Sequence, residues 1–501
     1  MSTPLEPATS DRETAVATTP RSPTPSGVPQ RLRRGTALRP PHSIVAWGRF
    51  FSIAVPIAVW FLPLGLNPRA HHALAIAAGV IIAWITQAVD HAIAGLIGCY
   101  LCWALGIVKA EVAFEGFSNS TTWFLFGAML FGSMATKSGL GRRLAFLVMR
   151  RFGHTYAQLL LGIVVSSFLL TFLVPTGVAR VVLIGAVAVG LTEAFGVGPG
   201  SNIGRGMFII LTYTATIFDK MIIAGAASIT ARGFIEKIGQ VEVLWSRWFL
   251  AYLPCDIITI FAAWRLVLWL YPPEQQSLPG GPKYLDEEVR KMGPWTPLET
   301  KSGLLMSVAI VLWMTDFIHG IPAPMIGLGI GLVATLPKIG VLDLEDVRRV
   351  NYLPIFFVAA ALSMSDVLRE TQALDTLSNM MITSIEPFLS NVYSSTLVIY
   401  VTAFVYHLFL GDEVAMVSTS LPVLLQYART HGLDPLTLGM TWTFAVGAKV
   451  FIYQSAVLVV GYSFGHFDSR DMFRIGVALS VVQGLILVLL VPLYWPLIGL
   501  R

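Results

Sequence analysis

Apolar runs dominate the chain and are broken at short intervals by glycine, proline or charge. They fall at about 48–66, 71–88, 91–108, 118–136, 156–174, 178–195, 205–231, 247–271, 302–320, 324–342, 353–367, 393–411, 414–428, 436–463 and 473–499. A helix needs roughly 20 mostly apolar residues to cross a ~30 Å hydrocarbon core. Several runs are shorter than that or interrupted, as re-entrant hairpins and discontinuous helices are. The pattern predicts an all-α polytopic membrane protein with about 11 transmembrane spans.

Polar stretches divide the chain. Residues 1–43, rich in Ser, Thr, Pro and Arg, read as a disordered basic tail. A first half follows over 44–270, then a linker over 271–301, "YPPEQQSLPGGPKYLDEEVRKMGPWTPLETK", and a second half over 302–501. The halves match internally. At an offset of 236, "IVVSSFLLTFLVPTGVARVVLIGAV" (163–187) lies on "IYVTAFVYHLFLGDEVAMVSTSLPV" (399–423) without a gap, with seven of 25 positions identical. At 233, "ATIF" (215–218) lies on "AKVF" (448–451), and Arg232-Gly233-Phe234 falls opposite Gly465-His466-Phe467. At 234, "TKSGL" (136–140) answers "ETQAL" (370–374). Repeats with interrupted segments at corresponding places predict a secondary transporter, built here from two inverted repeats (about 110–270 and 302–501) with its site where they meet.

Composition agrees. Hydrophobic residues make up 55% and charged residues 13%, against about 25% charged in soluble domains; mean hydropathy is +0.70. The net charge of +5 lies largely at run edges and in loops, so it bears on orientation and not on nucleic acid. The group "RLRRGTALR" ahead of the first run predicts a cytoplasmic N-terminus in the cell (inner) membrane and a cytoplasmic linker. No cleaved signal peptide is expected. Cys99, Cys102 and Cys255 sit in apolar runs, and the first two read as small apolar residues and not as a redox or metal pair. HExxH and GxSxG are absent, and an enzyme is not expected.

Three stretches carry a family resemblance: "FEGFSNSTTWFLFGAMLFGSMATKSGLGRRLAF" (114–146), "YLDEEVRKMGPWTPLETKSGLLMSVAIVLWMTD" in and after the linker, and "HGLDPLTLGMTWTFAVGAKVFIYQSAVLVVGYSFGHFDSRDMFRIGVALSVVQGLILVLL" (431–490). The chain resembles the divalent anion/sodium symporters, the di- and tricarboxylate carriers of the ion-transporter superfamily. The resemblance implies a homodimer that moves substrate by an elevator-like displacement. It also implies a Ser-Asn-Thr triplet at the tip of a re-entrant hairpin in each repeat, holding sodium and substrate carboxylates. At the matching positions stand Thr176-Gly177-Val178 and Asp412-Glu413-Val414, so both asparagines and both third-position hydroxyls are replaced.

Carrying a dianion requires cations, amides or helix N-termini in place of its water, and a coupling cation requires oxygen donors. The substrate-binding set read from the chain is Thr176, Gly177, Arg180, Asp412, Glu413 and Lys449, with freed backbone around Pro175. The coupling-ion set is Thr176, Asp412, Glu413 and His407, and Thr216, Asp219 and Lys220 are secondary. Each has a structural alternative: Asp412 and Glu413 could form a salt bridge to Lys449, Asp219 and Lys220 could pair elsewhere, Arg180 could snorkel to an interface, and His407 could be a satisfied core histidine. No cofactor is expected beyond sodium or a proton as coupling ion; the loss of both asparagines favours protons at Asp412 or Glu413, or exchange. The expected partners are a small anion, lipid and a second copy. Transport of an inorganic anion such as sulfate, and an uncoupled channel or scaffold, stand as alternatives.

Overall fold

The computed structural model describes residues 42–174, 176–223, 225–280, 282–382, 391–410 and 412–500. The polar tail through residue 41 and the hairpin-tip residues Pro175 and Gly411 lie outside the described residues. Among the described residues the chain is helical, with one isolated bridge between Thr155 and Ser277. Among the described residues six helical stretches are long and apolar enough to cross a membrane: Ser43–Phe61, Pro68–Thr86, Gly177–Ala194, the interrupted stretch Asn202–Lys237, Trp245–Leu270 and Ser469–Leu493. The last exposes Phe473, Val477, Val481, Leu485, Leu489 and Leu493 in a stripe of four-residue spacing, a continuous apolar outer face. The protein is an integral membrane protein.

The internal repeat is a repeat of structure. A first hairpin pairs Tyr156–Thr171 with Gly177–Ala194, and a second pairs Val392–Phe409 with Glu413–Thr430. Both begin at a side-chain N-cap, Thr155 and Asn391, and both turn at an extended N-cap, Thr176 (φ −108°, ψ 125°) and Asp412 (φ −114°, ψ 124°). Each pair lies 236 residues apart, the offset of the sequence match. The apolar run at 205–231 divides into Asn202–Met221 and Ala226–Lys237, the first broken helix. That at 436–463 divides into Pro435–Ala445 and Ala456–Ser463, the second broken helix. Their N-caps, Ser201 and Asp434, keep the offset of 233.

Beyond the breaks the register slips. The second segments start after Gly225 and Ser455, an offset of 230. Arg232 therefore sits inside its helix whereas Gly465 lies past the end of the other, and the match of Arg232-Gly233-Phe234 to Gly465-His466-Phe467 does not survive. The third match moves by one residue. The left-handed turn joining Ser120–Ser138 to Leu140–Phe152 is Gly139 (φ 74°), and that joining Leu353–Glu370 to Ala373–Ile382 is Gln372 (φ 63°), an offset of 233 and not 234. The sequence match was keyed on Leu140 and Leu374, whereas the turn is set by the residue that takes positive φ.

The two repeats interlock. Helix Gly177–Ala194 packs on the first broken helix and on Ala456–Ser463 of the second; Glu413–Thr430 packs on the second and on Ala226–Lys237 of the first. The closing helices Trp245–Leu270 and Ser469–Leu493 pack on each other. This reciprocal exchange of partners is what a twofold relation between repeats requires, and it brings the hairpin tips and the breaks to one central place.

The linker, which contains helix Pro282–Lys291, is clamped at its end. Arg143 Nε donates to Glu299 Oε1 at 2.6 Å, while Nη1 and Nη2 reach the carbonyls of Gly293, Met292 and Pro294 at 2.9–3.1 Å. Thr296 N donates to Glu299 Oε2 at 2.7 Å, closing a capping box. Burial by itself would raise the Glu299 carboxyl; Arg143 and Thr296 outweigh it and hold the group below its ordinary range. A depressed folded pKa gives stability that is complete above the unfolded value of about 4.3 and is lost as pH falls through the lower folded one. Limited proteolysis, with a neutral protease at pH 7 and an acid-active one below about pH 4, should therefore leave 292–301 protected at neutral pH and cleave it at the lower pH. The Glu299→Gln variant should already be cut there at neutral pH.

Candidate functional site

The first hairpin tip is tied to its own broken helix by Arg180, one turn into Gly177–Ala194. Its guanidinium is fully buried. Nη1 donates to the Val174 carbonyl at 2.8 Å, and Nη2 donates to the Ala215 carbonyl at 2.7 Å and to Asp219 Oδ1, closing an ion pair. Nε has no partner. Gly177 stands against the same wall: a Cβ there would lie 2.5 Å from Asp219 Oδ2, 2.8 Å from Val457 Cγ2 and 3.0 Å from the Ala215 carbonyl. The carbonyl is helix backbone and cannot yield, so Gly177→Ala should lift the tip off Asn202–Met221. We expect a loss of about 1–3 kcal/mol, the usual cost of overpacking, read as a lower melting temperature in detergent. Thr176 N-caps this helix without a side-chain capping hydrogen bond.

The second tip uses its residues differently. Asp412 is an N-cap, its Oδ1 accepting from Ala415 N at 2.7 Å, where an anion also suits the positive end of the helix. Glu413 Oε1 meets Lys449 Nζ at 2.6 Å, as a charge contact out of line for a hydrogen bond. Lys449 is 1% exposed and lies in the unwound stretch between Pro435–Ala445 and Ala456–Ser463. Each tip is thus tied to the break of its own repeat by one buried ion pair, with opposite polarity. In the first repeat the cation is on the tip and the acid on the broken helix; in the second the acid is on the tip.

Between these pairs sits Lys220, in the last turn of Asn202–Met221. It is 3% exposed, and its Nζ has no hydrogen-bond partner. The backbone of Gly447, in the break of the other repeat, approaches the ammonium so closely that any Cβ there would collide with Nζ. The Lys220 carbonyl accepts from Trp248 Nε1 at 2.8 Å, fixing the turn against Trp245–Leu270. The charge on Lys220 acts on Lys449, Glu413, Asp256 and Asp219, so all five belong to one cluster. With Arg180 it holds three cations and three acids.

The remaining candidates have local roles. Thr216 donates its hydroxyl to the Tyr213 carbonyl of its own helix at 2.8 Å and is buried. His407 is fully buried; its Nε2 lies 3.2 Å from the Gln454 carbonyl, Gln454 Nε2 donates back to the His407 carbonyl at 3.2 Å, and His407 Nδ1 has no partner. Gln454, absent from the sequence reading, also holds the unwound stretch by accepting from Val450 N and Phe451 N at 2.7 Å. Asp256 was missed as well. It is the lone acid near the middle of Trp245–Leu270, and the reasoning that singled out Asp412 and Glu413 applies to it equally. Among the described residues no group of three or more His, Cys, Asp or Glu could hold a metal ion. For a hard cation such as sodium the second tip offers Asp412 Oδ1 and Glu413 Oε1 already engaged by Ala415 N and Lys449, and the first tip offers the Thr176 hydroxyl, which does not cap its helix.

Comparison with known proteins matches residues 44–500 to a family described as the sodium:sulfate symporter transmembrane region. A membrane protein of Cupriavidus necator is 25% identical over 92% of this chain and 94% of its own length. The L-tartrate/succinate antiporters of Shigella dysenteriae and Escherichia coli are each 24% identical, covering 90% of this chain and 98% of theirs. Among solved structures, that of the Alcanivorax borkumensis YdaH transporter, described as having an unusual topology, aligns with a TM-score of 0.53 at 14% identity, over 91% of this chain and 100% of that one. That likeness concerns the fold.

Proposed function

The chain belongs to the sodium:sulfate symporter family, and on that premise we propose that it is a secondary active carrier of organic dianions of the C4-dicarboxylate type. The observation that supports the reading most directly is Lys220: a buried ammonium without a hydrogen-bond partner, placed where both hairpin tips and both breaks meet. A buried unpaired charge is costly, and in a carrier a substrate carboxylate relieves that cost. Lys449 and Arg180, whose Nε has no partner, are the other cations of the cluster and serve in this reading a second carboxylate. The names of the antiporter relatives point to the same substrate class. Family membership likewise points away from an enzyme.

Coupling is read as exchange or proton-linked in preference to sodium-linked, since neither tip carries the asparagine of the family triplet and one carboxylate oxygen of each second-tip acid already meets an amide or an ammonium. Asp412 and Glu413 act in this reading as structural groups, a helix cap and a partner of Lys449, and not as the exchanging proton site. The carrier works as a homodimer with elevator-like displacement, in the cell (inner) membrane, with the basic tail and linker cytoplasmic by the positive-inside rule.

Uptake of labelled succinate into liposomes containing the purified protein tests the reading. A proton gradient, a sodium gradient and internal unlabelled dicarboxylate are applied in turn. Uptake under the first or third condition is the expected result. Inhibition by sulfate but not by tartrate would transfer the protein to inorganic anions, and flux insensitive to all three conditions would make it an uncoupled channel.

A further inference from the structure

Asp256 has no place in the ties described above. It sits near the middle of the 26-residue helix Trp245–Leu270, is 2% exposed, and its Oδ2 has no hydrogen-bond partner. The charge acting on it comes from Lys220, itself without a hydrogen-bond partner. The two helices run antiparallel: Gly206 lies beside Val267, and the Lys220 carbonyl holds Trp248. Asp256, two turns beyond Trp248, is therefore level with a point about two turns before Lys220. Side chains on a helix lean toward its N-terminus, so the lysine stem reaches back in the direction of the acid. The other titratable groups facing Asp256 are Tyr252 and Cys255 of its own helix. Their hydrogens are directed elsewhere, to the Met440 carbonyl at 2.6 Å and the Ala251 carbonyl at 3.8 Å. Lys220 also faces Lys449, Glu413 and Asp219, of which Glu413 is occupied by Lys449 and Asp219 by Arg180.

We propose that Asp256 is the proton-carrying group of this protein, taking up a proton when a substrate carboxylate draws the Lys220 ammonium away and releasing it when the substrate leaves. Without substrate, the Lys220 charge offsets that of Asp256 across the gap between the two helices, with no hydrogen bond or close ion pair joining them. A bound dianion takes over the ammonium, and a lone carboxylate at mid-membrane then costs more than a protonated one. One proton from the aqueous phase bonds to Asp256, none leaves Lys220, and the site accepts a dianion while gaining a net charge of only −1. On release to the other side, the ammonium returns and the proton departs with the substrate. Proton symport follows from the pair, without any demand on the hairpin-tip acids. The substrate in this scheme rests on the dicarboxylate reading above; the Lys220–Asp256 exchange does not.

Infrared difference spectroscopy of the protein in liposomes tests it through the protonated-carboxyl C=O band. In the native protein succinate should raise such a band, and Asp256→Asn should abolish it. Lys220→Met should show the band permanently, without response to succinate, and the double variant Lys220→Met/Asp256→Asn should lack it. The succinate-induced band persisting in Asp256→Asn, or no band in folded Lys220→Met, overturns the proposal. If succinate changes nothing in the native protein, including its own carboxylate bands, the dicarboxylate reading fails. The comparison of Lys220→Met with the double variant then still decides whether Asp256 is the proton site, and it decides equally if Asp256→Asn alone does not fold.

Discussion

Arg180→Met should lose about 3–5 kcal/mol of stability, the measured range for breaking one side of a buried ion pair. In detergent this corresponds to a melting temperature lower by roughly 10 °C. The loss has three sources in the structure. Asp219 is left as a largely buried carboxylate near the C-terminal end of Asn202–Met221, where the helix dipole already disfavours an anion. The Val174 and Ala215 carbonyls lose their donors. The hairpin tip then has no charged tie to the broken helix. Adding Asp219→Asn removes the stranded charge and should restore about half of the loss, as coupled neighbours do in a double-mutant cycle. A fully additive cycle would mean that the two side chains act independently, against the ion pair described here.

Lys220→Met should do the reverse. Nothing hydrogen-bonds to its ammonium, and the Asp256 carboxyl left behind takes up a proton instead of standing charged, so thermal stability should hold or rise, while succinate transport falls roughly a hundredfold, the equivalent of about 3 kcal/mol for one desolvated charge pair with substrate. The two variants together separate the roles of the cluster: one cation holds the site's shape and the other is kept for cargo. A melting temperature as depressed as that of Arg180→Met would show Lys220 to be structural, and transport at native rates would remove it from the site.

The sequence by itself determined whatever depends on a few neighbouring residues. Apolar length announced the membrane. The internal repeat was legible at offsets of 236 and 233 from the matches of 163–187 to 399–423 and of 215–218 to 448–451; the structure adds that the caps Thr155 and Asn391, Ser201 and Asp434, which satisfy amides two or three positions away, keep the same offsets. The positions of Thr176 and Asp412 at the tips followed, as did the cost of placing acids there.

Only the tertiary structure decided how those charges are used. That Arg180 answers Asp219 and Lys449 answers Glu413, and that Lys220 is left without a hydrogen-bond partner, depends on how helices far apart in the chain cross. The same holds for the unequal breaks, where the first helix continues through Met221 while its counterpart unwinds after Ala445 and is held open by Gln454. A buried charge must find a partner, a ligand or a proton, and that requirement can be read from composition. Which of the three it finds is set by distances of a few ångströms between segments that the chain brings together only on folding.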